Sequence, residues 1–310
     1  MFAIKSGERM PEGVLLLDKP AGFSSTRALA KAKRLLGAAK AGHTGTLDPF
    51  ATGLLPLVFG EATKFSRFLL DARKAYLATL RLGVETSTGD PEGAVVGRSD
   101  WLPDLAQIDR VLGSFVGVQA QLPPMHSAVH VGGRRLYEYA REGLEVPRAS
   151  RSIEIEALER RSLVGCDLTL SVVCSKGTYV RALACDIGRA LGCGAHLVAL
   201  RRTAVGDLGL DQAHTLETLE ADGREASRER LLPLDVLVAG LTRCEPGVEE
   251  ATRFTQGQAI GCGAQAEGIE LALFAPGGRF LGVGRSDGAG RVAPLRVRSV
   301  GESSKPPDFA

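Results

Sequence analysis

The chain has 310 residues, 44% of them apolar and 24% charged, the make-up of an ordinary soluble globular protein with room for one large domain and a smaller one. Its formal net charge of +2 neither demands nor excludes an anionic partner. No run approaches the ~20 apolar residues that would span a bilayer, and residues 1–10 lack the apolar stretch of a secretory signal, so the expected location is the cytoplasm.

Residues 14–17 form a short apolar run ending at Asp18-Lys19-Pro20, the pattern of a strand entering a turn. Ser24, Ser25 and Thr26 stand where hydroxyls cap a helix predicted over 27–36. Beyond a glycine-rich loop at 42–53, residues 54–59 read as a strand or a buried segment and 63–70 as a helix with Phe65, Phe68 and Leu69 on one face. A strand is predicted over 76–82, a turn-rich loop over 83–93 and an amphipathic helix over 105–115. Residues 153–158 and 168–173 alternate as paired antiparallel strands do. Val180, Leu183, Ala184, Ile187 and Leu191 recur at helical spacing, which makes 179–191 the clearest helix, and 197–200 returns as a strand. These signals predict an α+β fold on a mixed, largely antiparallel sheet with flanking helices.

Composition shifts near 237–245. Beyond it, short apolar pieces separated by Pro276-Gly277-Gly278 and Asp287-Gly288-Ala289-Gly290 predict the hairpins of a small β-rich domain. Residues 301–310 are polar, proline-bearing and expected to be a disordered tail. The six cysteines form no C-x-x-C pair and are expected to be buried free thiols, with neither a disulfide framework nor a zinc site. Residues 1–80 carry 12 Lys and Arg against 6 Asp and Glu, whereas 241–310 carry 8 of each, so a basic surface is expected in the N-terminal part.

The run Gly42-His43-Thr44-Gly45-Thr46-Leu47-Asp48-Pro49-Phe50-Ala51-Thr52-Gly53 carries the most chemistry. Three glycines and a proline rule out a regular helix or central strand, leaving a shaped loop. It holds one carboxylate, Asp48, biased toward an extended backbone by the following proline. Arg34 and Lys40 precede the loop, and Lys64 and Arg67 follow it. A lone acid between basic flanks suits a nucleophile or base facing an anionic substrate. An Asp-Pro turn with no chemistry has the same pattern, and spacing alone favours the turn.

Six segments, taken together, decide otherwise: Leu17-Asp18-Lys19-Pro20-Ala21-Gly22, the Asp48 loop, Gly60-Glu61-Ala62-Thr63-Lys64, Lys74-Ala75-Tyr76, Gly177-Thr178-Tyr179-Val180-Arg181 and Leu200-Arg201-Arg202. In this order, over about 13–300, the chain resembles the TruB family of bacterial tRNA pseudouridine-55 synthases. The resemblance implies a pseudouridine synthase catalytic domain at 10–240, with an RNA-binding insertion at 122–151, and a PUA-like RNA-binding domain at 243–300. It implies isomerisation of uridine 55 in the T-loop of tRNA by base flipping. No cofactor, metal or guide RNA is expected, and a monomer holding the T-arm and the acceptor end suffices.

Position by position, the resemblance makes Asp48 the nucleophile and Arg181 the cation that keeps it ionised. Tyr76 stacks on the uracil and helps remove the C5 proton; Leu200 is an apolar wall, and Tyr179 a second aromatic in a matching segment. Lys19 and Lys64 support the loop or touch phosphates, Asp90 contacts substrate, and His43 fills the space the flipped base vacates. Without the resemblance, Arg181 reads as a solvated helix charge and the tyrosines as half-buried aromatics. His126 and His130 depart from the family's usual insertion, which predicts an effect on RNA affinity rather than on chemistry. The rival readings are a guide-RNA-dependent homologue and a non-catalytic tRNA-binding or folding protein.

Overall fold

The structure, a computed structural model, describes residues 10–299 apart from 128 and 264. The expected disordered tail at 301–310 lies outside the described residues. The apolar run opens strand β1 (Gly13–Lys19), and helix α1 (Ser25–Leu36) follows, capped by Ser24, whose hydroxyl accepts from the Arg27 amide at 3.2 Å. Strands β2 (Thr52–Phe59) and β3 (Lys74–Leu82), helix α2 (Leu105–Ser114) and strands β4 (Gly117–Gln121), β5 (Arg151–Val164) and β6 (Asp167–Cys174) come next. Helix α3 (Val180–Leu191), strand β7 (Ala195–Val205) and helix α4 (Leu216–Glu229) complete the larger part.

The main sheet runs β1-β2-β7-β3-β6-β5-β4. Every ladder on this path is antiparallel except β2 with β7, so the sheet is mixed and largely antiparallel. The predicted stripe of α3 is buried at all five positions and packs into the sheet's apolar core with Ala78, Leu80, Leu168 and Leu170. Among the described residues no helix is long and apolar enough to cross a membrane.

Three local readings are corrected. The helix expected at 63–70 is a 3₁₀ turn at Gly60–Phe65 followed by a short helix at Arg67–Asp71; the Thr63 hydroxyl bonds back to the Gly60 carbonyl at 2.8 Å, within the tighter turn. The loop expected at 83–93 begins with a strand, Val84–Thr86, paired with Val95–Arg98. The third correction concerns the thiols. Cys244 and Cys262 are joined as a disulfide, their Cα atoms 6.5 Å apart, because the C-terminal sheet brings together residues with no motif spacing. Of the free thiols Cys174 and Cys193 are buried as expected, whereas Cys185 is half-buried and Cys166 exposed.

The C-terminal strands are β8 (Thr242–Cys244), β9 (Ile260–Gly261), β10 (Glu270–Phe274), β11 (Phe280–Ser286) and β12 (Arg291–Val297), in sheet order β8-β10-β11-β12-β9. The two glycine-rich turns join β10 to β11 and β11 to β12 as hairpins. This sheet is not a loose appendage. Phe274, Phe280 and Val283 share one buried cluster with Val14, Leu16, Leu54 and Phe65, with the rings of Phe65 and Phe280 5.1 Å apart edge to face.

Candidate active site

The loop between the short strand Ala41–His43 and β2 is fixed residue by residue. The Ser25 hydroxyl, buried at the start of α1, accepts from the Leu47 amide at 2.8 Å and donates to the Leu47 carbonyl at 3.1 Å. The Asp48 carbonyl accepts from the Ala51 amide at 3.1 Å, and the Pro49 carbonyl from the Gly22 amide at 2.8 Å. Lys19, wholly buried at the end of β1, adds a bond to the Pro49 carbonyl at 3.4 Å while holding those of Pro20 and Phe23 at 2.9 and 2.7 Å. Gly53 ends the loop where a Cβ would lie 2.3 Å from the Arg202 carbonyl oxygen, so only glycine lets β2 approach β7 there. Backbone groups paired in this way hold the loop in one conformation, and the Asp48 side chain inherits that order.

Asp48 meets Arg181 from the first turn of α3. The Arg181 Nε donates to Asp48 Oδ2 at 2.9 Å, and Nη1 donates to Asp90 Oδ2 at 2.9 Å. Nη2 donates to the His126 carbonyl at 2.7 Å. One guanidinium thus joins two carboxylates and the insertion's backbone. The carboxylates differ: 33% of the Asp48 side chain remains open to the cleft, against 5% for Asp90, which also accepts from the Glu92 amide at 3.1 Å. Burial pushes the Asp48 carboxyl above its ordinary range; Arg181 opposes the shift, the Asp90 charge adds to it, and Lys19 opposes it again. Burial likewise brings the Lys19 ammonium down to about 8.

These groups line a cleft of ≈ 850 Å³. His43, Asp48, Tyr76, Asp90, Tyr179, Arg181 and Leu200 all reach it, whereas Lys19 lies beneath the loop. Lys64 is not brought to the cleft; it pairs with Glu61 at 2.6 Å and bonds Ser299 at 2.7 Å. Tyr76 stands on β3 opposite Arg202 of β7, its phenol raised by burial. Tyr179 exchanges two bonds with the Gln121 side chain, at 2.8 and 3.1 Å, which fix the entry to α3. His43 has a buried Nδ1 with no partner and is kept neutral by burial and by the nearby Arg202 charge. The insertion's Arg135, Tyr137 and Arg141 form the cleft's rim, with the Arg141 guanidinium 5.2 Å from the Tyr137 ring centroid.

Sequence reasoning assigned no role to Arg202 or Lys74, and read Ser25 only as one of the hydroxyls capping α1, not as a pin on the Asp48 loop. A signal for Arg202 existed: successive strand residues face opposite sides, so a Leu200 in the cleft places Arg202 beside it and turns Arg201 away. Arg201 pairs outward with Asp18 at 2.7 Å. Lys74 caps the carbonyls of Leu69, Leu70 and Ala72 at 2.6 to 3.1 Å, and no pattern announces that.

Three family models match the chain in succession. The model for the TruB family pseudouridylate synthase N-terminal domain matches residues 33–180, that for the tRNA pseudouridylate synthase B C-terminal domain 181–239, and that for the pseudouridine synthase II TruB C-terminal domain 247–297. A tRNA pseudouridine synthase B from Aromatoleum aromaticum is 51% identical over 292 residues, covering 94% of each chain. Its counterpart from Chromobacterium violaceum is 49% identical over 295 residues, covering 94% of this chain and 96% of its own. A chain in the structure of an H/ACA RNP bound to a substrate RNA containing 2′-deoxyuridine has a TM-score of 0.72 and 25% identity, covering 93% of this chain and 85% of that one. A chain of a Cbf5-Nop10-Gar1 complex superposes at 0.73 with 24% identity, over 96% and 90%, and shares the fold. Four of the five strands of the C-terminal sheet, β9 to β12, fall within the third match, in keeping with a PUA-like module. On matches that run almost end to end, the chain belongs to the TruB family of pseudouridylate synthases.

Proposed function

We propose that this chain converts uridine 55 in the T-loop of tRNA to pseudouridine, with Asp48 as nucleophile. The observation that carries the assignment is the pairing of Asp48 with Arg181 at 2.9 Å at the floor of an open cleft. A carboxylate raised by burial stays usable as a nucleophile only with a cation beside it, and Arg181 is that cation. The reaction breaks the C1′–N1 bond, turns the base and joins C5 to C1′; C5 gives up its proton and N1 gains one. The net change is an isomerisation, and Asp48 is regenerated.

The uridine must leave its stack to reach Asp48, at a cost of a few kcal/mol. Stacking on Tyr76, worth about 1–3 kcal/mol, offsets part of this. Leu200 closes the apolar side, and His43 fills the space left in the RNA. The insertion at 122–151 closes over the T-arm, the PUA-like sheet at 243–300 holds the acceptor end, and a monomer acts without guide RNA in the cytoplasm. His126 meets Arg181 through its carbonyl, which any residue supplies, so the departure there leaves this contact intact.

The test is tritium release from a T-arm RNA labelled at uridine C5. Wild type is expected to release tritium on naked RNA, and Asp48→Asn to bind the RNA without releasing any. Turnover by Asp48→Asn would remove the nucleophile assignment. Silence from the wild type with RNA bound would favour a binding or folding protein.

A further inference from the structure

Arg202 is the largest fully buried side chain of the described residues, 1% exposed, in a position where a guanidinium is normally matched by a carboxylate. Among the described residues it has no carboxylate within ion-pair distance. Its partners are neutral: Nε donates to the Leu54 carbonyl at 2.7 Å and Nη2 to the Gly45 carbonyl at 3.2 Å. These two carbonyls lie on either side of Asp48, one near the loop's start and one just after its end. Tyr76 is its cross-strand neighbour on β3, and the guanidinium charge opposes the upward shift that burial gives the Tyr76 phenol.

Its backbone is held as firmly. Arg202 is paired with Gly53 of β2 on one side and with Tyr76 of β3 on the other, in the short stretch, Arg201 and Arg202, where β7 is paired with both strands. The ladder with β3 shifts register between Arg202 and Ala204. A bulge of this kind re-aims a side chain and is a frequent device beside active sites. Leu200, two residues earlier on the same face, lines the same cleft.

We infer that Arg202 is a positioning residue for the isomerisation: its buried fork fixes the Asp48 loop through Gly45 and Leu54 and, at the same time, orients the Tyr76 hydroxyl over the cleft. This rests on the assignment of Asp48 and Tyr76 proposed above. Arginine suits the task because a planar fork reaches several acceptors in fixed directions, which an ammonium on a flexible stem does not. The unbalanced charge is felt across the cleft, where it helps keep His43 neutral and lowers Lys19 and Lys74. Cost to the fold is accepted where it sets the geometry of the reaction.

The experiment is a double-mutant cycle on the full chain, reading the single-turnover rate of tritium release and the affinity for T-arm RNA. Arg202→Lys keeps the charge and is the variant chosen to keep the fold; Tyr76→Phe removes only the hydroxyl. Arg202→Lys is expected to lower the rate by about 10²-fold, the scale of a misplacement near 1 Å, while RNA affinity stays at the wild-type value. The double variant is expected to lose no more than the worse single one, because Arg202 acts through the hydroxyl that Tyr76→Phe has removed. Additive losses, an unchanged rate in Arg202→Lys, or a loss confined to RNA affinity would each overturn the inference. Release by the wild type in the same assay checks the proposed function separately, so the two can fail independently.

Discussion

The Asp48 loop and the insertion at 122–151 both border one cleft, yet they are held in opposite ways. The loop is pinned by buried polar bonds: the Ser25 hydroxyl on Leu47, Lys19 and Gly22 on Pro49, and Arg181 on Asp48 itself. The described part of the insertion has fewer such anchors, the Arg181 bond to the His126 carbonyl and the buried Leu136 side chain, and is otherwise held by exposed contacts, such as Arg134 with Glu142 and Glu138, and by a short hairpin at 130–135. Bonds in a dry interior are directional and costly to break, whereas exposed ion pairs contribute little. The contrast teaches a division of labour. Chemistry demands a fixed carboxylate, and grasping a bulky RNA suits an element that can yield.

The comparison breaks first if Arg181 is dispensable. Arg181→Met should lower kcat/KM by about 10²–10³-fold, the scale of losing one preorganised charge partner. It should also destabilise the fold by about 3–5 kcal/mol, since Asp90 is left as a buried charge without its cation. Steady-state kinetics with thermal unfolding checks both. Asp48→Asn should behave differently in unfolding. The Asp48 carboxyl is raised in the folded state, so its stabilising contribution is present at low pH and is lost as pH rises through that raised value. At neutral pH the ionised group is therefore a cost, and the asparagine variant should melt no lower than the wild type.

A second test uses pH. Lys19 grips three carbonyls as an ammonium, and its folded value is near 8, well below that of a free lysine. Turnover should fall as pH rises through about 8 and that ammonium deprotonates. Lys19→Met should be slow at every pH and lose this alkaline limb. Lys74, also brought down to about 8, holds the carbonyls after Leu69 instead of the Asp48 loop, so Lys74→Met should keep the limb. A limb that survives in Lys19→Met would mean that another group sets it.

How much of this was legible follows from the range of the interactions. The α3 stripe and the Asp48 loop were readable because helical spacing and Gly-Pro chemistry are local properties of a few consecutive residues. The fold class followed from the order of such elements. What escaped depends on contacts distant in sequence. Lys64 sits among residues that read as a phosphate contact, yet the C-terminal strand returns Ser299 to it and Glu61 takes its charge. Cys244 and Cys262 meet only once the five-stranded sheet has formed. Helix α4 was hidden by Gly223, whose φ of 75° interrupts the helical path from within. Arg202 was written in a matching segment and strand alternation puts it on the side of Leu200, but alternation does not tell that the side chain there is wholly buried.

The smallest effect is expected from the insertion, and it is the sharpest check on the contrast. Glu142 accepts from Arg134 at the surface, with half of its side chain exposed. In water such a pair gains little, because solvent and salt screen the charges and both side chains lose freedom. Glu142→Ala should therefore leave the melting temperature unchanged and the single-turnover rate on bound RNA unchanged. Arg134 then loses its close carboxylate partner, keeps only the 3.9 Å contact with Glu138, and still lies over the Tyr139 ring, 4.6 Å from its centroid. A cation released beside an anionic substrate should bind it more tightly, so the affinity for T-arm RNA should rise slightly at low salt and the gain should vanish at high salt. A drop in rate without a change in affinity would mean that the insertion is part of the fixed catalytic frame, and the division between the two regions would fail.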